Sequence, residues 1–562
     1  MMKVSLRFLL VILCLPVAAL FAQSARPNVI MIIADDLRYD AFSVTGGPDF
    51  LNTPSINKIA NEGARFDNYY CVYPLCVPAR AAMMTGLYPH SNGAVDNCTY
   101  IKPGIKTLAQ VLDSAGYHTG MIGKYHIAAK KQNGWDYWFA TSRKIEYENP
   151  TFFFNSTEQI KTGHVENIIF DTVHKYLSQV DTPFFVTIGH PSPHRPVVPL
   201  PQYDGIFDDI DMPIPENFYQ FSAWYPSFLY EDSNKIYEKE KTISKDFRNY
   251  FSGILAVEDN VTNIFSILQD RNLLNNTMII FTSDNGANYG EHALKGKGKA
   301  YEPSIHLPLF IRYPAWYPAN TVVDDDFFTL NIDIMPTILQ AAKINPDKYH
   351  PQGTSLQKQI SGEVQRDAFL FENIKLKTGT CDAIEESDRP SMRGVITNDF
   401  KYVKSQCDKL TEELYDLNAD PLETTNLVKE ANYQTVLNEM RAQLTALKLQ
   451  YFDTLKKDKK IEDCNLIKSN PNAITYFKVE DNMPLKISPN PVDESLNLYG
   501  DFNAATSITI TNLMGQVAYN HAFVESASSQ IESINLAHLP SGIYLITIRQ
   551  EGSQVVKTFW KN

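Results

Sequence analysis

Cys76, Pro78 and Arg80 have the spacing that most restricts what chemistry this chain can do. Proline suits the first turn of a helix because it has no N–H to leave unpaired, so the run Cys-Val-Pro-Ala-Arg-Ala-Ala-Met-Met predicts a helix with Cys76 at its entrance. Free amide donors and the positive end of the helix dipole face any anion held there. Arg80, one turn further in, can lay its guanidinium over the same spot. Alone, a cysteine is more often a small buried apolar residue, and an arginine four residues on is more often a solvated charge.

Other positions add to the pattern. Asp35 and Asp36 directly follow the apolar run NVIMIIA, and Asp284 and Asn285 follow MIIFTS. Ligands of open α/β sheets gather beyond the carboxyl ends of strands, so two such pairs on neighbouring strands can converge on one site. Four oxygen donors without His or Cys suit a hard cation, calcium first and magnesium second. Either pair by itself fits a turn or helix cap equally well. In GYHTGMIGKYH, residues 116–126, Lys124 and His126 lie two apart and point to one side if residues 120–127 are extended. His190 and His194 both follow the run PFFVTIG, and Lys295, Lys297 and Lys299 crowd one short segment.

With its continuation Met-Thr-Gly-Leu-Tyr-Pro-His, the Cys-x-Pro-x-Arg segment resembles the signature of the formylglycine-dependent sulfatases, and residues 116–126 resemble that family's second signature. The resemblance implies that Cys76 is oxidised after translation to formylglycine, whose hydrate attacks the sulfur of a sulfate ester. It implies one calcium ion on Asp35, Asp36, Asp284 and Asn285, with residue 76 beside it. Lys124 then binds the sulfate and His126 takes a proton from the hydrate. Pro193-His194-Arg195-Pro196 matches the family's Pro-His-x-Pro, which makes His194 the acid for the leaving alcohol and leaves His190 outside the motif. Residues 296–308, GKGKAYEPSIHLP, resemble GKGxxYExxxRxP, so Lys297 is the expected sulfate-binding lysine and His306 stands where the family often has Arg. Arg80, Lys124 and Lys297 together neutralise the sulfate.

The elements that must position these residues follow from periodicity. From residue 28 to about 344, short apolar runs alternate with helical stretches such as 256–272, the mark of an α/β domain. The family resemblance makes this a large mixed sheet sandwiched by helices, alkaline phosphatase-like, over residues 23–364. Residues 365–455 form a smaller α+β subdomain with strand-like residues 393–403 and an apolar stripe Leu437, Met440, Leu444, Leu447, Tyr451 at helical spacing. The segment LYDLNADPLETTNL is also typical of sulfatase C-terminal subdomains. A charged linker, 456–484, precedes an all-β sandwich module, 485–562. SPNP, Asn-Leu-x-Gly-Gln and SGIY in that module resemble the sorting domain of the bacterial type IX secretion system, a carbohydrate-binding module being the alternative.

Residues 1–22 read as a cleaved signal peptide, with Lys3 and Arg7 ahead of a short apolar run. No other stretch is long and apolar enough for a transmembrane segment, so a secreted or cell-surface protein is expected, exported through the type IX machinery. The net charge of −13 argues against a nucleic-acid binder and requires a local basic pocket for any polyanion. Of the six cysteines after residue 22, Cys381 and Cys407 are the preferred disulfide pair. The implied partners are a sulfated carbohydrate and a formylglycine-generating maturation enzyme. Ulvan-like algal polysaccharide is the first expectation and heparan-type glycosaminoglycan the second; His90, Arg195, His292 and Arg393 are the candidate substrate contacts. Phosphodiester or phosphonate hydrolysis on the same fold, and a sulfated-glycan binding protein with a dead site, are the competing readings.

Overall fold

The structure is a computed structural model and describes residues 26–142, 146–218, 225–226, 229, 240–323, 327–374, 390–406, 411–453, 466–467, 486–488, 495–502, 507–512, 517–522, 529–540, 542–550 and 553–561. The expected signal peptide, nearly all of the expected linker and the pair Cys381 and Cys407 lie outside those residues. Cys71 and Cys76 are free and buried, and Cys98 is disulfide-bonded.

The strand β1 (Asn28–Ala34) explains the layering: all seven of its residues are buried. Val29, Met31 and Ile33 enter one apolar core, and Ile30, Ile32 and Ala34 enter another on the opposite face. Such a strand must be covered on both sides, which is why it reads as a continuous apolar run. It lies inside a ten-stranded sheet. The other strands are β2 (Ala64–Phe66), β3 (His118–Gly123), β4 (Tyr137–Thr141), β5 (Thr151–Phe154), β6 (Thr157–Ile160), β7 (Phe184–Gly189), β8 (Thr277–Ser283), β9 (Leu309–Arg312) and β10 (Thr321–Val323). Their spatial order is β10-β2-β9-β8-β1-β7-β3-β4-β5-β6. The centre, β8-β1-β7-β3-β4, is parallel, whereas β9 runs antiparallel to β8 and β5 antiparallel to β4, so the sheet is mixed.

The helix α1 (Cys76–Thr85) belongs to the first core through Val77, Ala81, Ala82, Met83 and Met84. The helices α2 (Val165–Gln179) and α3 (Glu240–Asp270) cover the other face, and α3 begins well before the stretch that periodicity suggests. A second sheet is an antiparallel meander of β11 (Ala368–Asn373), β12 (Met392–Thr397), β13 (Phe400–Ser405) and β14 (Thr411–Asp416). Residues 393–403, expected as strand-like, are thus two strands and their turn. The helix α4 (Gln434–Gln450) buries Leu437, Met440, Leu444 and Leu447 in the first core, so its stripe is packing. Near the C-terminus, a three-stranded and a four-stranded antiparallel sheet enclose a separate core of Leu496, Leu498, Ile508, Ile510, Ile534, Leu536, Tyr544, Ile546 and Ile548. No helix among the described residues is long and apolar enough to cross a membrane.

Candidate active site

Parallel pairing of β1 with β8 in register Ala34 to Ser283 delivers Asp35, Asp36, Asp284 and Asn285 side by side at the carboxyl edge of the sheet. The Asp36 amide reaches the Asp284 carboxylate at 3.3 Å, and the Asn285 amide group donates to Asp36 Oδ1 at 2.6 Å. All four residues are buried. Asp36 takes left-handed backbone, φ 63°, which turns the chain sharply after the strand. Asn285 Oδ1 is buried with no hydrogen-bond partner among the described residues. An orphaned acceptor among three carboxylates is the donor chemistry a hard cation needs, so these residues fit one.

Cys76 is the first residue of α1, as expected, and is only 1% exposed. Its sulfur lies 3.3 Å from Asp35 Oδ1, 2.9 Å from the Lys297 ammonium and 3.7 Å from that of Lys124. Lys124 is hydrogen-bonded to Asp35 and Lys297 to Asp36. Arg80 Nε donates to Asp284 Oδ2 at 2.7 Å, its Nη1 donates to the Lys124 carbonyl, and its Nη2 is buried without a partner among the described residues. That spare donor is what an added anion would satisfy. His194 Nε2 stands 3.6 Å from Asp36 Oδ2, with a quarter of its side chain exposed. Ligand atoms of Asp35, Asp36, Cys76 and His194 all lie within 4.8 Å of one another.

Two glycines permit this convergence. A Cβ on Gly189 would sit 2.1 Å from the Lys124 carbonyl, and one on Gly123, at φ 85°, would sit 2.0 Å from the Gly189 carbonyl. Only bare backbone lets the ends of β3 and β7 close over Lys124. The strand β3 stops at Gly123, and His126 has φ 67°. The expected extended stretch from Gly120 to Ile127 is therefore not formed, because a left-handed residue breaks the alternation that would have put Lys124 and His126 on one side.

Electrostatics follow from burial against charge. Burial raises the Asp35 pKa, but Lys124, His194 and Lys297 outweigh it and leave the carboxylate below its usual range. Asp36 is likewise lowered, burial being overcome chiefly by Lys297 and His194. Burial, then Asp35, pushes the Cys76 thiol well above its ordinary range, so the unmodified side chain is a neutral thiol and a poor nucleophile. Burial also lowers His194, against the pull of Asp36 and Asp35.

The four expected substrate contacts are placed differently. Arg195 pairs with Asp246 at 3.5 Å and lies over the Tyr289 ring, 4.8 Å from its centroid; Lys295 approaches the same Asp246 at 3.3 Å. His292 is buried, lies 3.3 Å from the Asn217 amide and packs against Tyr301 with ring centroids 4.4 Å apart and planes tilted by 33°; burial, then Lys401 and Lys299, push its pKa down to about 3. His90 is buried with Nδ1 on Glu372 and Nε2 2.8 Å from the Tyr451 carbonyl. Arg393, 2% exposed, donates to Asp453 at 2.7 Å. Sequence reasoning missed Glu166 and Asn97. Glu166 pairs with His190, and Asn97 accepts the Val77 amide in the first turn of α1 at 3.2 Å. Neither belongs to a motif, and only the topology brings them near.

Comparison with known proteins gives three family matches. A model described as Sulfatase covers residues 27–344, one described as N-sulphoglucosamine sulphohydrolase, C-terminal, covers 290–450, and one described as Secretion system C-terminal sorting domain covers 486–562. An N-acetylglucosamine-6-O-sulfatase of Bacteroides thetaiotaomicron is 29% identical over 518 residues, spanning 78% of this chain and 91% of that protein. An ulvan-active sulfatase of Formosa agariphila is 25% identical over 499 residues, spanning 84% and 91%. A solved protein in complex with its substrate D-glucosamine-2-N,6-O-disulfate superposes with a TM-score of 0.68 at 28% identity, covering 77% of this chain and 99% of that one. The phosphonate monoester hydrolase of Agrobacterium radiobacter shares the fold, with a TM-score of 0.65 at 24% identity over 76% and 96%.

Proposed function

Because this chain belongs to the sulfatase family and is a sulfuric ester hydrolase, we propose that it removes sulfate from sulfated polysaccharide or its oligosaccharides, using formylglycine made from Cys76 and one calcium ion. The observation that carries the reading is the gathering of Arg80, Lys124, Lys297 and His194 about Cys76, with one buried guanidinium donor of Arg80 left over. The buried, protonated state of the bare thiol supports the need for a modified residue 76. When present, formylglycine supplies a hydrate oxygen as nucleophile, and calcium, held by Asp35, Asp36, Asp284, Asn285 and residue 76, polarises the sulfate.

The chain's own side chains do the rest. Lys124, Lys297 and Arg80 bind the sulfate oxygens and stabilise charge that grows on them. His194 donates a proton to the departing sugar oxygen. Its lowered pKa is compatible with that role, since a sulfate brought beside the ring favours the imidazolium. His126 serves as the base toward residue 76. Arg195 and His292 remain proposed sugar contacts, whereas His90 and Arg393 are proposed to fasten the C-terminal subdomain.

The similarity to glucosamine 6-sulfatases favours 6-O-sulfated glucosamine in glycosaminoglycan fragments, with ulvan second, the reverse of the order expected from sequence. The terminal sorting domain indicates export to the cell surface or medium. We assign the upstream signal peptide, residues 1–22, to the same export route.

The test is sulfate release from a panel of heparan fragments, ulvan oligosaccharides and other algal glycans, with a phosphonate ester as comparator. The protein is coexpressed with a formylglycine-generating enzyme, Cys76→Ala is the control, and mass spectrometry reads residue 76. Release from a glycan that disappears in Cys76→Ala supports the proposal. Turnover of the phosphonate alone, with residue 76 modified, refutes it.

A further inference from the structure

Among the described residues the His194 ring has no hydrogen-bond partner at Nδ1 and approaches Asp36 at 3.6 Å through Nε2, so its place is set chiefly by its backbone. That backbone is fastened from α2. Glu166, the second residue of the helix and 1% exposed, accepts the Ser192 amide on Oε1 at 3.0 Å. Its Oε2 is 2.6 Å from His190 Nδ1. Ser192 in turn gives its carbonyl to the Asp35 amide at 3.2 Å, and the His190 amide donates to the Ile33 carbonyl at 2.9 Å. From the other side the Tyr147 hydroxyl donates to the His194 carbonyl at 2.7 Å and lies 3.2 Å from that of Pro191.

A buried carboxylate is costly unless paired and hydrogen-bonded, and breaking such a pair costs far more than the pair is worth in water. Both Glu166 oxygens here are spent on the short turn that carries His194, and none on the core. The one covalent unit between β7 and His194 is thus laced to α2 and to β1 at once.

We propose that Glu166, acting through His190 and Ser192, is a positioning residue that holds His194 where it protonates the leaving oxygen. The inference rests on the reading of His194 as the acid. A misplaced acid hurts substrates with poor leaving groups and spares those whose leaving group departs without a proton. Glu166→Ala is therefore expected to lower kcat on the sulfated sugar about 30-fold to 100-fold, within the range general acids supply, with KM within about twofold. On 4-nitrophenyl sulfate the same variant should lose less than about threefold. Glu166→Gln, which can still accept the Ser192 amide, should recover most of the loss.

Melting temperature and bound calcium are measured on each variant, and His194→Ala is run beside them. An equal fall on both substrates, a fall that tracks lost calcium or lost melting temperature, or wild-type kcat in Glu166→Ala each overturns the proposal. If His194→Ala itself shows no leaving-group contrast, the acid assignment fails. If His194→Ala shows the contrast and Glu166→Ala does not, only the positioning role fails. Should the wild type not turn over the aryl sulfate, kcat against KM and the Gln rescue decide.

Discussion

Replacing Lys297 by Met keeps the side chain's length and removes its charge from a point 2.9 Å from the Cys76 sulfur and in contact with Asp36. Two unit charges about 4 Å apart at an effective dielectric of about 20 interact by about 4 kcal/mol. The sulfate already carries charge when it binds, so part of that energy is lost from ground-state binding and only the remainder from the barrier. Loss of a single preorganised donor in such sites costs about 100-fold to 1,000-fold in kcat. Lys297→Met should thus lose about 100-fold in kcat and about 10-fold through KM, about 4 kcal/mol in kcat/KM together. Burial alone lowers the Lys297 pKa, but Asp36, then the unmodified Cys76 and Asp35, raise it well above the usual lysine range. The ammonium therefore stays charged through neutral and mildly alkaline pH, and the ratio of wild-type to variant rates should be flat from about pH 5 to 9. Initial rates of sulfate release across that range test this, with formylglycine at residue 76 and calcium content measured on both proteins. A loss below about tenfold in fully modified protein, or a ratio that drifts with pH, would refute the reasoning.

Chelation should lower the melting temperature, because calcium at about 100 times its Kd contributes about 2.7 kcal/mol; differential scanning fluorimetry with calcium, magnesium and EDTA should rank calcium first. Glu423, which shares Lys401 with Glu302 at 2.7 and 2.8 Å, is pushed up to about 7 by burial, against the pull of Lys401 and with a push from Glu302. The folded state then holds a proton that the unfolded chain releases near pH 4.5, so stability falls as pH rises from there to about 7. Glu423→Gln should flatten that fall, worth about 2 kcal/mol, in melting curves taken from pH 5 to 8. Arg393→Leu removes the guanidinium 2.7 Å from buried Asp453, leaving Lys448 at 3.8 Å and His90 nearby, and should cost about 3 kcal/mol in denaturant unfolding; adding Asp453→Asn should return most of it.

The places of the proposed site residues were legible where their signals are local. A helix start needs only Pro78 two residues after Cys76, and a strand end needs only an apolar run followed by Asp-Asp or Asp-Asn. Pairing of β1 with β8 then brings the Asp-Asp and Asp-Asn pairs together as that logic requires. Less was legible where partners are remote. His90 looked available in a motif tail, but its two ring partners, Glu372 and Tyr451, lie 282 and 361 residues away. The antiparallel direction of β9 and the left-handed His126 depend on how the chain returns to the sheet, which no short window records. Glu166 is invisible for the same reason: its meaning comes from β7 lying over α2.

The segment that carries Lys297 pairs with earlier chain at Asn288 and Tyr289, but much of its remaining support comes from chain made later. Asn373 donates to the Gly298 carbonyl at 2.6 Å, Glu413 takes the Tyr301 hydroxyl at 2.9 Å, Glu423 takes the Glu302 amide at 2.9 Å, and Lys401 pairs with Glu302. A ribosome must therefore add more than a hundred residues after Lys297 before its segment has all of these supports. The growing polypeptide carries Cys76, the proposed nucleophile position, long before the partners of the 298–302 stretch are made. A nascent or proteolytically shortened chain that ends before residue 423 lacks the carboxylate that holds the Glu302 amide, so the segment bearing Lys297 cannot have its complete set of supports until late in biosynthesis.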